Sequence, residues 1–72
     1  MKPLTVTVEQ TRHSAVISGP VRVVHPAIKA VGCAWQYDHR RHAYLVPRRH
    51  LDDVSVAIEL AGHHVQLEMS PW

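Results

Sequence analysis

The chain has 72 residues, of which 46% are hydrophobic and 19% charged, and its formal net charge is +2 at pH 7. This length allows one domain with a modest core, and the apolar content excludes a disordered chain. The single cysteine, Cys33, excludes an internal disulfide and a zinc motif built on a pair of cysteines. Residues 1–72 are therefore expected to form one domain with a packed core.

The chain contains no targeting signal that we recognise. No apolar run approaches the twenty residues of a transmembrane helix, and the residues after Met1 alternate instead of forming the apolar stretch of a signal peptide. A free thiol without a targeting segment is typical of a reducing compartment. The sequence therefore predicts a cytoplasmic protein that does not associate with membranes.

The first third of the chain predicts a β-hairpin. Leu4–Glu9 alternates apolar and polar residues, as a half-buried strand does. The polar residues Thr11–His13 suit a turn, and Ala15–Ile17 gives a second short strand. Gly19 and Pro20 then end this strand, because both residues interrupt regular structure.

The next segment carries two opposing signals. Val21, Val24, Ile28 and Val31 have helical spacing. Pro26 opposes one continuous helix, because an interior proline removes a hydrogen bond at a cost of about 3 kcal/mol. We therefore predict a helix over 26–31 with Pro26 in its first turn, and an extended segment or loose turn over 21–25. Gly32 is expected to cap the helix.

A second hairpin, a helix and a final strand are predicted after Gly32. Cys33–Tyr37 and His42–Val46 form two strands joined at Asp38–Arg41, and Pro47 closes the second one. Leu51–Ala61 has the apolar stripe of a helix, and Val65–Met69 alternates as a strand. The order is ββαββαβ, which predicts an α+β domain with an antiparallel-rich sheet and two helices packed on one face.

The second hairpin is the main candidate for a functional site. Its aromatic residues Trp35, Tyr37 and Tyr44 would stack bases if exposed, while cations beside them held phosphates. The simpler interpretation makes Trp35 and Tyr44 core residues, and a partly exposed Tyr37 or tryptophan edge is compatible with both. The candidate polar contacts are the arginines that flank the hairpin and one turn histidine: His39, Arg40, Arg41, Arg48 and Arg49.

Catalytic and metal-binding functions are poorly supported. His39 and His42 are separated by a turn, and His63 and His64 are adjacent, so neither pair has the spacing of a zinc motif. Cys33 with a histidine is only a nominal nucleophile and base, and the chain has no glycine-rich phosphate loop. The sequence therefore predicts a protein that is not an enzyme and uses no metal or cofactor.

The helix and second hairpin resemble a known small domain. The pattern runs through Ile28–Gly32, Trp35, Tyr37-Asp38, Arg41, Tyr44 and Val46-Pro47. It is similar to the HARP domain of annealing helicases and to related short bacterial and phage domains, over about Val21 to Leu67. This resemblance implies a DNA-engaging accessory domain in which Asp38 shapes the turn, Tyr44 packs the hairpin and Arg41 contacts the ligand. The chain departs from the family pattern at two positions, with Tyr44 where tryptophan is usual and Trp35 three residues before Asp38.

Two functions follow as expectations. The first is a non-catalytic module that binds nucleic acid, most simply DNA, through the basic hairpin. The second is a protein-interaction module or a small regulator or inhibitor of phage or mobile-element origin, which the net charge of only +2 favours. Its strand edges would recruit a partner strand. The sequence leaves open whether the chain is a monomer or a homodimer.

Overall fold

A computed structural model describes residues 2–68 of the chain. The strands are β1 (Thr5–Gln10), β2 (Ser14–Ser18), β3 (Gln36–Asp38), β4 (Ala43–Pro47) and β5 (His64–Glu68), and the helices are α1 (Val21–Val31) and α2 (Leu51–Leu60). The five strands form one sheet in the order β3-β4-β2-β1-β5. Three of its strand pairs are antiparallel and the pair β1–β5 is parallel. The predicted α+β class and element order are confirmed, and the end of the predicted last strand, Met69, lies outside the described residues.

Both helices cover one face of the sheet, and the core lies between these two layers. Because side chains alternate along a strand, one face of the three central strands is almost wholly apolar. It joins the buried residues of α1 and α2 in a single cluster: Val6, Val8, Ala15, Ile17, Tyr44, Val46, Val23, Val24, Ala27, Ile28, Leu51, Val54 and Ile58. Each large side chain removed from water contributes about 1.5–3 kcal/mol. This burial is the main source of stability in the described residues, where the lone Cys33 is a free thiol.

Helix α1 begins at Val21, five residues earlier than the sequence predicts. The carbonyl of Pro20 accepts the N–H groups of Val23 and Val24, at 2.9 and 3.0 Å. Pro26 lies inside the helix on its exposed side, and it removes the N–H that would donate to the Arg22 carbonyl. Burial of the opposite side of α1 outweighs the cost of about 3 kcal/mol for an interior proline.

The start of the second hairpin also differs from the prediction. The predicted strand Cys33–Tyr37 is replaced by the shorter β3, and residues 33–35 are not a strand. Gly32 has φ 75° and ends α1 in the left-handed conformation, as predicted. The chain must then pass from the helix layer to the sheet layer, and residues 33–35 form this connection.

The second helix follows its prediction closely. It ends at Leu60, one residue before the predicted end, and Gly62 beyond it has φ 91°. Asp52 and Asp53 occupy its first turn, where carboxylates stabilise the positive end of the helix dipole. A single 3₁₀ turn, Arg48–His50, connects β4 to α2. Within residues 2–68, neither helix has the length and apolar composition needed to cross a membrane.

Candidate nucleic-acid interface

Tyr44 is the centre of an aromatic cluster on the second hairpin. It lies opposite Tyr37 in the β3–β4 ladder, and the two rings meet edge to face with centroids 5.0 Å apart. Trp35 contacts the same ring at 5.4 Å. Tyr44 is only 4% exposed, which agrees with the interpretation of this residue as core.

Trp35 does not share that burial. It remains 45% exposed, although the simpler interpretation of the sequence made it a core residue. It precedes β3 at the edge of the sheet, where the hairpin covers one side of the indole. The imidazole of His25 on α1 meets the indole edge-on, with centroids 5.2 Å apart and an interplanar angle of 89°. The indole therefore combines a fixed position with accessible surface.

His25 is a member of this cluster that the sequence did not reveal. It contacts both Trp35 and Tyr44, and its Nδ1 lies 3.5 Å from the Tyr44 hydroxyl. His25 reaches the cluster from α1, which begins at Val21. The sequence predicted residues 21–25 to be non-helical, so it gave no position for the His25 side chain. The apolar spacing of residues 21–31 predicts the buried side of a helix, but it does not show that this side of the helix lies near the hairpin.

The Tyr44 hydroxyl is a poor acid in this setting. Burial raises the pKa of Tyr44 above its ordinary value of 10.0, and the neighbouring Tyr37 hydroxyl raises it further. Since desolvation penalises the phenolate, the phenol stays protonated at any physiological pH. The hydroxyl is therefore available to donate to His25, and it contributes no charge to the surface.

The turn between β3 and β4 is organised by Asp38. Its Oδ1 accepts the backbone N–H of Arg40 at 2.9 Å and that of Arg41 at 3.4 Å. An aspartate at the start of a turn is expected to accept the backbone N–H two residues further along the chain, and the hydrogen bond from Arg40 is of this kind. Arg41 Nε also lies 3.7 Å from Asp38 Oδ2, and its side chain is 60% exposed. Among residues 2–68, Arg40 forms no ion pair and is the less restrained of the two arginines.

The same turn places His42 in an unfavourable backbone conformation. His42 has φ 51°, a left-handed geometry that costs an L-residue about 1–2 kcal/mol. We expect His42→Gly to raise the free energy of unfolding by about 0.5 kcal/mol, because glycine avoids that cost but has about 0.5–1 kcal/mol more chain entropy to lose. Urea unfolding monitored by circular dichroism measures this change.

His39→Gly in the same turn is the matched control. His39 is not among the positive-φ residues of the described chain, so the substitution should lower the free energy of unfolding by about 0.5–1 kcal/mol. A shift of both variants in the same direction would contradict this account of the turn.

Arg48 and Arg49 lie at the other end of β4 from Arg40 and Arg41. A strand of five residues spans about 17 Å, so the four arginines form two separate groups instead of one patch. The Arg48 N–H donates to the His13 carbonyl at 3.2 Å, which brings the exposed β1–β2 turn beside this pair. Arg12 in that turn is a basic neighbour that the linear sequence concealed, and only the pairing of β2 with β4 reveals it.

Carboxylates moderate the charge at that end of the sheet. Asp52 and Asp53 follow directly in α2, and Asp53 Oδ2 lies 4.0 Å from His50 Nδ1. Arg49 Nε also contacts His50 Nε2 at 3.3 Å. The positive charge of the Arg48–Arg49 end is therefore partly offset by carboxylates close to it in the chain.

The sheet itself does not offer a stacking surface for bases. Tyr37 and Tyr44 lie on the face that the helices cover, whereas nucleic-acid-binding sheets present their aromatics on the open face. The open face here carries Thr7, Ser18 and Gln36 together with the aliphatic Val16 and Leu45, and none of these is an aromatic residue. Of the tryptophan and tyrosine rings within residues 2–68, Trp35 is the exposed one, and we take it as the ring at which a base can stack.

Metal ligands do not gather in the described structure. No three side chains of His, Cys, Asp or Glu within residues 2–68 come together to hold a metal ion. Cys33 is half-buried after the α1 cap. His39 lies against Tyr37 instead, with ring centroids 4.9 Å apart.

The fold and this site define a small α+β domain with a half-exposed tryptophan at one end of β3 and a basic turn at the other. Comparison with family models, curated proteins and solved structures finds no match for the chain. The resemblance to the HARP domain therefore stays a prediction that rests on the residues of the second hairpin.

Proposed function

We propose that this chain is a non-catalytic module that binds single-stranded DNA at Trp35 and the β3–β4 turn. The observation that carries the proposal is the 45% exposure of Trp35. Stacking a base on an aromatic side chain contributes about 1–3 kcal/mol and tolerates any base. The proposal places the module in the cytoplasm, where the Cys33 thiol stays reduced.

The surroundings of Trp35 favour stacking over a purely structural role. The edge-on His25 and the buried Tyr44 fix the indole from two sides, so little side-chain entropy is lost when a base covers the remaining surface. A duplex keeps its bases stacked on each other, and a single strand presents them freely. The site therefore favours single-stranded or unpaired nucleotides.

Basic residues extend from Trp35 in two directions. Arg40 and Arg41 occupy the β3–β4 turn at one end of the hairpin, and Arg40 has no ion-pair partner in the described residues. On α1, Arg22 and Lys29 are exposed and lie three before and four after His25, so the three share one side of the helix. A phosphate backbone that runs from Trp35 along β3 to the turn, or along α1, would meet these cations.

The small net charge limits the expected affinity. With a formal charge of +2, the module makes few phosphate contacts and binds weakly at physiological salt. Each neutralised phosphate contributes about −0.7 to the slope of log K against log salt for a single strand. Two arginine contacts therefore predict a slope of about −1.4.

Fluorescence anisotropy with labelled oligonucleotides tests the proposal. We expect binding at low salt in the order single strand, fork, duplex, and a weakening of about threefold to tenfold when Arg40 and Arg41 are both replaced by alanine. The matched control is the double variant Arg48→Ala, Arg49→Ala, which removes the same charge at the far end of β4. Absence of binding at low salt, or equal losses in both double variants, would refute the turn as the contact.

A protein-interaction module is the second candidate, and the apolar surface beside β5 favours it. Leu60 on α2 is 83% exposed and Leu67 on β5 is 58% exposed. Exposed apolar residues on an edge strand and on the helix packed beside it are typical of a binding surface. A regulator of phage or mobile-element origin would use this edge to bind its target, and nuclease treatment would leave that complex intact.

A further inference from the structure

Strand β5 is an open sheet edge with few of the features that prevent pairing. In the sheet order it is terminal, and among residues 2–68 its ladder partner is β1. Natural edge strands are commonly blocked by proline, by lysine or by being very short. Within its bounds, His64–Glu68, β5 contains neither proline nor lysine. The opposite edge, β3, has only three residues.

The sequence of β5 is complementary to itself when two copies run antiparallel. With Gln66 opposite Gln66 of a second copy, His64 faces Glu68 and Val65 faces Leu67. Each of these pairs occurs twice because the arrangement has a two-fold axis. An imidazole donates a hydrogen bond to a carboxylate whether neutral or protonated, so the polar pair is favourable on one face of the sheet.

The other face of the same edge is apolar. Val65 packs against the core, and it lines a groove of about 300 Å³ between β5 and α2 together with Leu67 and Val56. Val56 is 53% and Leu67 58% exposed. Leu60 lies one turn further along α2. Pairing at β5 would bring this apolar surface of one copy against the same surface of the other.

From this complementarity we infer that β5 mediates a homodimer, in which two copies join by antiparallel β5–β5 pairing about Gln66. The product is one continuous sheet with twice the five strands of a single chain. Because an isologous contact uses the same patch on both copies, the assembly closes at two chains. The Trp35 site lies at the opposite edge of each sheet and stays open in the dimer.

Sedimentation velocity of the full chain at increasing concentration tests the dimer. We expect a species with twice the 8.2 kDa of one chain. Leu67→Lys should raise the dimer dissociation constant by about tenfold or more, because it removes two apolar cross-strand pairs. Val21→Lys is the matched control, since Val21 is exposed to a similar degree, 52%, on α1. Circular dichroism establishes that both variants keep the fold.

A charge exchange tests the register. His64→Glu should weaken the dimer because a glutamate at position 64 would then face Glu68, a pair of like charges. Glu68→Lys should weaken it because the favourable pair of His64 with a carboxylate is lost. The double variant should restore the dimer, because a glutamate at position 64 then faces a lysine at position 68. A chain that stays monomeric at millimolar concentration would overturn the inference. Open-ended assembly, a dimer insensitive to Leu67→Lys, or a double variant as weak as the singles would overturn it equally.

Discussion

Replacing Tyr44 by alanine is expected to remove most of the stability of this domain. Truncation of a buried large aromatic side chain costs about 3–5 kcal/mol, because transfer free energy is lost and a cavity remains. At about 0.05–0.15 kcal/mol per residue, a domain of this length has about 4–11 kcal/mol in total. Tyr44 is 4% exposed and contacts Tyr37, Trp35 and His25, so little of the cavity can be filled by its neighbours.

Urea unfolding followed by circular dichroism measures this loss. Leu45→Ala is the matched control, because Leu45 is the next residue of β4, faces the opposite side of the sheet and is only half-buried. Tyr44→Phe keeps the ring and removes only the hydroxyl that lies 3.5 Å from His25, so we expect a loss of about 1 kcal/mol. The account fails if Leu45→Ala costs as much as Tyr44→Ala.

The fold could be predicted from the sequence because local and tertiary signals mostly agree. The alternation in Leu4–Glu9 and the apolar stripe from Leu51 to Ile58 each have one interpretation, and the glycines at 32 and 62 mark both helix ends. In these segments the periodicity of the apolar residues directly identifies the buried face.

The prediction was wrong where a local rule opposed tertiary packing. At Pro26 the prediction gave the local cost of an interior proline more weight than the free energy gained by burying Val24 and Ile28. The structure has one continuous helix there, because the packing of those side chains outweighs the local cost. At Cys33–Trp35 the residues suit a strand, but the distance between the helix and sheet layers requires a connection. Neither effect is contained in a window of neighbouring residues.

The candidate site was only partly predictable for a related reason. The hairpin aromatics and the Asp38 turn are local and were identified from the sequence. The approach of Arg12 to Arg48, and the contact of His25 with Trp35, depend on which strands and helices are neighbours. A single sequence does not specify that arrangement, so the four arginines were grouped by sequence position although β4 separates them.

Replacing Trp35 by alanine is expected to weaken binding of single-stranded DNA by about 5-fold to 150-fold, which corresponds to the 1–3 kcal/mol of one base–aromatic stack. Trp35→Phe keeps a smaller stacking surface and should retain part of the affinity. The matched control is Gln36→Ala, because Gln36 is the next residue, is exposed and faces the open side of the sheet. Anisotropy at fixed low salt measures all three variants.

A second measurement separates stacking from a structural effect. Base stacking on the indole should quench the emission of Trp35, measured in a Trp72→Phe background because the second tryptophan of the chain also emits. Quenching that saturates at the same DNA concentration as the anisotropy would place the base on the indole.

Trp35 is 45% exposed, so its truncation removes less buried area than that of Tyr44 and should leave the protein folded. Full affinity in Trp35→Ala would refute the proposed site, because Trp35 is the exposed member of the tryptophan and tyrosine rings within residues 2–68.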